Sequence, residues 1–213
     1  MANFFKYLDL SKLFGYRRTD SGVAYTKRDG AEFLAADVMK ISLSATEAVA
    51  ASTTGVHAAV TDTGEDQVIS TGITNPPYPR NITATAGGTA GDIKAIQVTV
   101  HGTNMADEVI SETLSAFTVN TAGTVTGAKI FKTVTYFELP AHDGTGATTA
   151  IGFGSKLGIP AKLAHNSHLF TFFGNTVEGT PPTVTVSASA MESNGFTLNS
   201  TLDGSVVDAY FVK

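Results

Sequence analysis

The sequence predicts an all-β protein, a two-sheet sandwich of jelly-roll or immunoglobulin-like type with an N-terminal arm of short-helical character. Composition is the first reason. The 31 Thr outnumber both the 14 Lys+Arg and the 19 Asp+Glu, and Gly adds 21; that bias favours strands and turns over helices. Spacing is the second. Short period-two runs recur along the chain, separated by turns rich in Gly, Asn, Asp and Pro, which is the pattern of a sandwich or barrel. The third is an absence of helical periodicity after residue 60, which leaves no crossover helices for a parallel α/β sheet.

The elements follow in chain order. Residues 1–30 stand apart with a net charge of +3, whereas residues 31–213 carry −8. Phe4, Phe5 and Leu8 lie near one helical face, and Leu10, Leu13 and Phe14 continue an i, i+3, i+4 pattern. Asn3 can cap such a helix and Gly15 can end it. Two readings stand: a helix packed on its own domain, or an arm that lays an apolar, basic face on a neighbouring subunit. The chain then reads as an arm over 1–30 and a single sandwich domain over 31–213. Within the latter, 37–44 alternates with period two. The Ala- and Thr-rich stretch 45–59 fits a short helix or a strand. Residues 67–70 form a short strand candidate. Three prolines among Pro76, Pro77 and Pro79 make 75–80 an extended loop. Residues 93–101 alternate most clearly, 102–104 turn, and 108–114 return. Further strands are predicted over 117–120, 128–131, 133–139, 148–153, 169–173, 183–190 and 206–212.

Several kinds of chemistry are excluded or weakened. With no Cys, thiol catalysis, thiolate metal sites and disulfide scaffolds drop out. No run of about 18 apolar residues predicts a membrane span. Lys6 and Asp9 interrupt what would be the apolar core of a secretory signal, so export by that route is not expected. Asp62-Thr63-Gly64 matches the short motif of aspartic proteases, but a second carboxylate in the same setting is missing; Asp143-Gly144-Thr145-Gly146 carries an inserted glycine. Both read as turns. Gly144, Gly146, Gly152, Gly154 and Gly158 do not fit a phosphate loop and read as a turn followed by a bulged strand. His142, His165 and His168 lack metal-ligand spacing. Asp62, Glu65 and Asp66 make a small acidic loop that misses the EF-hand pattern. The Ser nucleophile elbow is absent. Asn81 and Asn199 begin glycosylation sequons that a Thr-rich chain produces by chance. No catalytic residue, metal ligand or cofactor is expected. An acidic body also makes a nucleic-acid partner unfavourable.

One stretch has a recognisable wording. Asn75-Pro76-Pro77-Tyr78-Pro79-Arg80-Asn81-Ile82-Thr83-Ala84-Thr85-Ala86-Gly87-Gly88-Thr89-Ala90 leads into 93–100 and Gly102-Thr103-Asn104. Pro140-Ala141-His142-Asp143-Gly144-Thr145-Gly146-Ala147 and Lys156-Leu157-Gly158-Ile159-Pro160 follow. This resembles the small, Thr/Gly-rich virion structural proteins of tailed bacteriophages, in particular head decoration (cement) proteins, over roughly residues 70–165 and the C-terminal strand. The resemblance implies a non-enzymatic role on the virion, assembly in the host cytoplasm, and two partners: the major capsid protein and copies of itself, with a trimer as the family's natural oligomer. It carries over no functional residue. On the charge split, the arm is the expected anchor, with Phe4, Phe5, Leu8, Leu13 and Phe14 as apolar contacts and Arg17 and Arg18 facing an acidic capsid surface. A phage tail, baseplate or tail-tube component remains an alternative, as does a carbohydrate-binding or adhesin module.

Overall fold

A computed structural model describes the strands Tyr16–Arg18, Ala24–Arg28 and Ala31–Leu34, and residues 38–212. Those three strands are β1, β2 and β3. They are followed by β4 (Val38–Leu43), β5 (Ser52–Thr61), β6 (Gln67–Ile69), β7 (Arg80–Gly88), β8 (Thr99–Thr103), β9 (Val109–Thr113), β10 (Gly123–Phe131), β11 (Thr133–Leu139) and β12 (Ala147–Gly158). The last are β13 (His168–Phe173), β14 (Thr176–Val177), β15 (Thr183–Thr185), β16 (Gly195–Thr197) and β17 (Val207–Val212). Two single 3-10 turns, Ala90–Asp92 and Met191–Ser193, are the only helical elements among the described residues. The protein is therefore all-β, as its composition predicts.

Two compact units divide the chain, one reaching to Met39 and taking in Val212–Lys213, the other Lys40–Phe211. In the first, β1, β2 and β3 form an antiparallel meander, with Arg17 opposite Tyr25 and Tyr25 opposite Leu34. The helix expected over 3–15, with Phe4, Phe5, Leu8, Leu13 and Phe14, lies outside the described residues. Arg17 and Arg18 lie on β1.

The second unit is a sandwich. One layer is a six-stranded sheet in the order β10-β7-β12-β16-β15, with β5 also on β12; the other is β6-β11-β8-β9. Every described pairing in both is antiparallel. Ile82, Ala84 and Ala86 of β7 and Ile151 of β12 share one buried cluster with Val100, Ile110, Val134 and Phe137 of the facing sheet. Residues 93–98 do not form the strand that their alternation predicts. Ile93, Ile96 and Val98 still point into the core, while Asn120, Phe117 and Leu114 donate their amides to the carbonyls of Ile93, Ile96 and Val98. The apolar spacing of three between Ile93 and Ile96 breaks the period of two, so the segment is bonded but not pleated.

The abundance of Thr has a structural use. Thr85–Thr124, Thr99–Thr113 and Thr103–Thr133 are directly opposed across strands, and each pair joins its hydroxyls at 2.8, 2.9 and 2.7 Å. Cross-strand pairs of this kind stabilise a sheet by about 0.2–1 kcal/mol each.

A further four-stranded sheet, β14-β13-β17-β4, adds to this body. Its inner face is apolar: Ile41, Leu43, Val207, Ala209 and Phe211 are all buried. Phe211 meets Phe196 of β16, ring centroids 5.6 Å apart.

Arg80 opens β7 fully buried, with no carboxylate bonded to it. Its guanidinium donates to the carbonyls of Glu47 (2.5 Å) and Gly154 (3.4 Å) and lies 5.1 Å from the centre of the Phe153 ring. Burial lowers its pKa to about 10. Carbonyl dipoles and an aromatic face thus stand in for a counter-ion and tie the Ser44–Ala48 turn to the sheet.

Candidate functional site

The four-stranded sheet sets its strands so that one face is core and the other is surface. A bulge between His168 and Phe170 decides which is which. His168 faces inward, T-shaped on Phe211 at 5.4 Å, with its Nε2 2.8 Å from the Thr171 hydroxyl. Residues two apart on a strand ordinarily share a face; the extra residue turns Phe170 outward instead. Phe170 and Phe172 then stand opposite Tyr210 and Asp208 of β17, and Phe172 also opposite Val177 of β14.

The outer face is a contiguous aromatic patch. Phe170 lies 4.6 Å from Tyr210 and 5.7 Å from Phe172, and Phe172 lies 6.4 Å from Tyr210, between centroids. Phe170 is 42% exposed and Val177 54%. Leu169 and Val206 are exposed beside them. Among the described residues, one ion pair crosses this face. Lys40 Nζ bonds Asp208 at 2.9 Å and lies 5.7 Å from the Tyr210 ring centre, and the Ser42 hydroxyl donates to the same carboxylate. Hydrogen bonding to Asp208 raises the Lys40 pKa, and the Ser42 and Lys40 bonds lower that of Asp208. Both groups stay charged across the physiological range.

A concavity lies over β7, β10 and β12. This groove of about 510 Å³ is lined by Thr53, Thr124 and Thr126, by Asn81 and Thr83, and by the Phe153 ring among small Ala, Gly and Ser residues. Asn81 is buried and holds two bulges: its Nδ2 donates to the Gly127 carbonyl of β10, and its Oδ1 accepts from the Lys156 amide of β12, each at 3.1 Å. It is therefore structural and no glycan acceptor. Lys156 is the single charged residue of the lining. Its ammonium is spent on the Ala128 carbonyl at 2.9 Å, and burial lowers its pKa. The lining holds neither an acid–base pair nor a second cation to clamp an anion.

The motif candidates resolve into loop fastenings. Asp62 is buried; one carboxylate oxygen accepts from Gly64 N at 2.7 Å and the other from His142 N at 2.8 Å. Asp66 accepts from Ala141 N, and Asp143 pairs with Lys94 at 3.3 Å. Gly144 and Gly146 pack against the Asp92 carboxylate, which accepts from Gly146 N; an acidic lining repels phosphate. Gly152 and Gly154 lie in β12 where its register shifts, the bulged strand that the sequence predicts, and Gly158 ends the strand paired with Gly195. Among the described residues, no group of three or more His, Asp or Glu is placed to hold a metal ion. None of the described helices is long and apolar enough to cross a membrane.

His142 is buried against Phe117, ring centroids 6.0 Å apart. Its Nδ1 accepts from the Lys94 amide at 3.2 Å and its Nε2 faces the Thr149 hydroxyl at 3.0 Å, which suits a neutral ring. Burial lowers its pKa despite the opposing charges of Asp62 and Asp143. His168 is shifted the same way, also by burial. Because the unfolded chain binds the proton more readily, stability is full above the ordinary histidine value near 6.5 and falls as pH drops from there towards the lowered folded value. Urea midpoints measured between pH 7.5 and 5 are expected to decline. His142→Gln should be less stable at pH 7.5 and show a shallower decline.

No protein-family model, curated protein or solved structure matches the chain. The aromatic sheet face was not legible in advance. Leu169–Phe173 and Val206–Val212 read as ordinary strands, and only the bulge after His168 reveals that their aromatics point outward.

Proposed function

We propose that this chain is a non-enzymatic virion structural protein of a tailed bacteriophage, acting as a decoration protein that binds the assembled head and strengthens its lattice. The observation that carries the reading is the aromatic outer face of the four-stranded sheet. A protein working alone in solvent would cover such a face, and an apolar patch left exposed on a sheet marks a contact surface. The body behind it suits a mechanical role: antiparallel layers cross-tied by Thr pairs, and loops fastened by buried Asp62, Arg80 and Asn81. The wording of residues 75–160 supports a place among phage head proteins. The +3 charge of residues 1–30 against the −8 of the rest supports the arm as the anchor on the major capsid protein, with Arg17 and Arg18 meeting acidic residues there. Many modest contacts repeated over a lattice supply the strength.

The test is to mix the purified chain with phage heads lacking it and to weigh what co-sediments. Saturable binding at hundreds of copies per head is expected, lost on deletion of residues 1–20. Self-assembly into stacked rings without head binding would place the chain in the tail instead. A chain that ignores heads but is retained on glycans would make it a sugar-binding module.

A further inference from the structure

We propose that the outer face of β13 and β17 pairs with the same face of a second copy, about a two-fold axis, in a weak isologous contact. This deepens the reading above by naming which of its two partners the aromatic patch takes, and it is separable from head binding.

Charge is the first argument. Residues 31–213 carry −8, so two bodies repel over most of their surface. The four strands β4, β13, β14 and β17 contain one cation and one anion, Lys40 and Asp208. Their face is neutral, so like can approach like there without that repulsion. The Lys40–Asp208 pair is neutralised within each copy, so neither charge needs a partner from the other. Side-chain chemistry is the second argument. Phe and Tyr are enriched and charges depleted at the centres of protein interfaces. Here Phe170, Phe172 and Tyr210 occupy the centre, with the ion pair to one side. Two twisted sheets can interdigitate such residues face to face.

Area sets the strength. Three strands of six residues and the two-residue β14, about 4.8 Å apart, span roughly 300 Å², less than half of what each partner gives to a standard interface. The free chain therefore pairs weakly, in the micromolar range or above, and copies held side by side on a lattice pair at much higher effective concentration.

The absence of Cys makes the test direct. Sedimentation equilibrium of the full chain from about 1 µM to 1 mM is expected to show a monomer–dimer equilibrium. Phe170→Glu should weaken it at least about tenfold, with the far-ultraviolet spectrum and thermal midpoint unchanged. Single-cysteine variants at Leu169, Phe170 and Val177, treated with a short bismaleimide, should yield covalent dimer at one or more positions. Val109→Cys, on β9 and 87% exposed, should not. A chain that stays monomeric to the top concentration, or face variants that cross-link no better than Val109→Cys, would overturn the proposal. Head binding is scored separately. Heads that bind a chain without face-to-face cross-links leave the decoration reading standing and remove this one; a dimer that ignores heads does the reverse.

Discussion

Gly152→Ala is expected to lower the stability of the fold by about 3 kcal/mol or more. Gly152 sits in β12, the strand that holds β7 on one edge and β5 and β16 on the other. A Cβ at this position would lie 1.9 Å from the Ser52 carbonyl oxygen and 2.6 Å from the Thr53 carbonyl carbon. Both are backbone atoms, so no rotamer change relieves the clash. The strand β5 must move, and its pairing through Ile151–His57 and Phe153–Ser52 is what would break. Overpacking that a side chain can absorb costs about 1–3 kcal/mol; a clash between backbones in the centre of a sheet exceeds that. Gly91→Ala is the control, because nothing lies within 4 Å of its added methyl, and a change within about 0.5 kcal/mol is expected. Urea unfolding of both variants measures the difference. Equal midpoints for the two would show that β5 is not held against β12 as described.

The same close approach explains what the sequence left hidden. Period-two runs of large residues announced β4 and β17 within one residue and β11, Thr133–Leu139, to the residue, whereas β8 begins six residues into the run that announced it. The strand β7 went unseen although it lies between β10 and β12 in the sheet. Its sequence, Arg80-Asn81-Ile82-Thr83-Ala84-Thr85-Ala86-Gly87-Gly88, has one large apolar side chain. Ala and Gly score poorly for strands on average, yet here they allow close packing: a Cβ on Gly88 would meet the Gly146 carbonyl at 2.2 Å. Small residues selected by tertiary crowding carry no periodic signal. Residues 117–120 failed in the opposite direction. Their apolar alternation reflects Phe117 reaching the core from a turn that is bonded to 93–96. The aromatic face was concealed by a third cause. A bulge reverses which residues point outward, and pattern alone assigns Phe170 and His168 to one face. The site therefore became visible only with register in hand, whereas the fold class needed only composition and spacing.

Asn194→Ala should be equally costly, about 3–5 kcal/mol, for a reason that composition also hides. The side chain is fully buried. Its Oδ1 accepts from Leu163 N at 3.1 Å and Ser187 N at 2.9 Å, and its Nδ2 donates to the carbonyls of Ser187 at 2.9 Å and Ala190 at 2.7 Å. One amide thus satisfies four backbone groups from two loops. Truncation removes this partner from the buried Leu163 amide and from the part-buried Ser187 amide and carbonyl, while the Ala190 carbonyl keeps the Ser193 amide; each group left unpaired costs about 1–3 kcal/mol before relaxation. Asn194→Asp separates hydrogen bonding from packing. It keeps the two acceptor contacts but sets a carboxylate against two carbonyls, which raises its folded pKa above the ordinary value near 3.9. The folded protein then binds the proton more tightly, so this variant should lose more stability at pH 7 than at pH 4, whereas the Ala variant should show no such added dependence. The loop that Asn194 fastens at Leu163 leads from β12 into β13, the strand bearing Phe170 and Phe172. Hydrogen exchange in Asn194→Ala is therefore expected to rise first at residues 159–167 and 186–190. If the aromatic face is the contact between copies, self-association should weaken in the same variant although no residue of the face has changed.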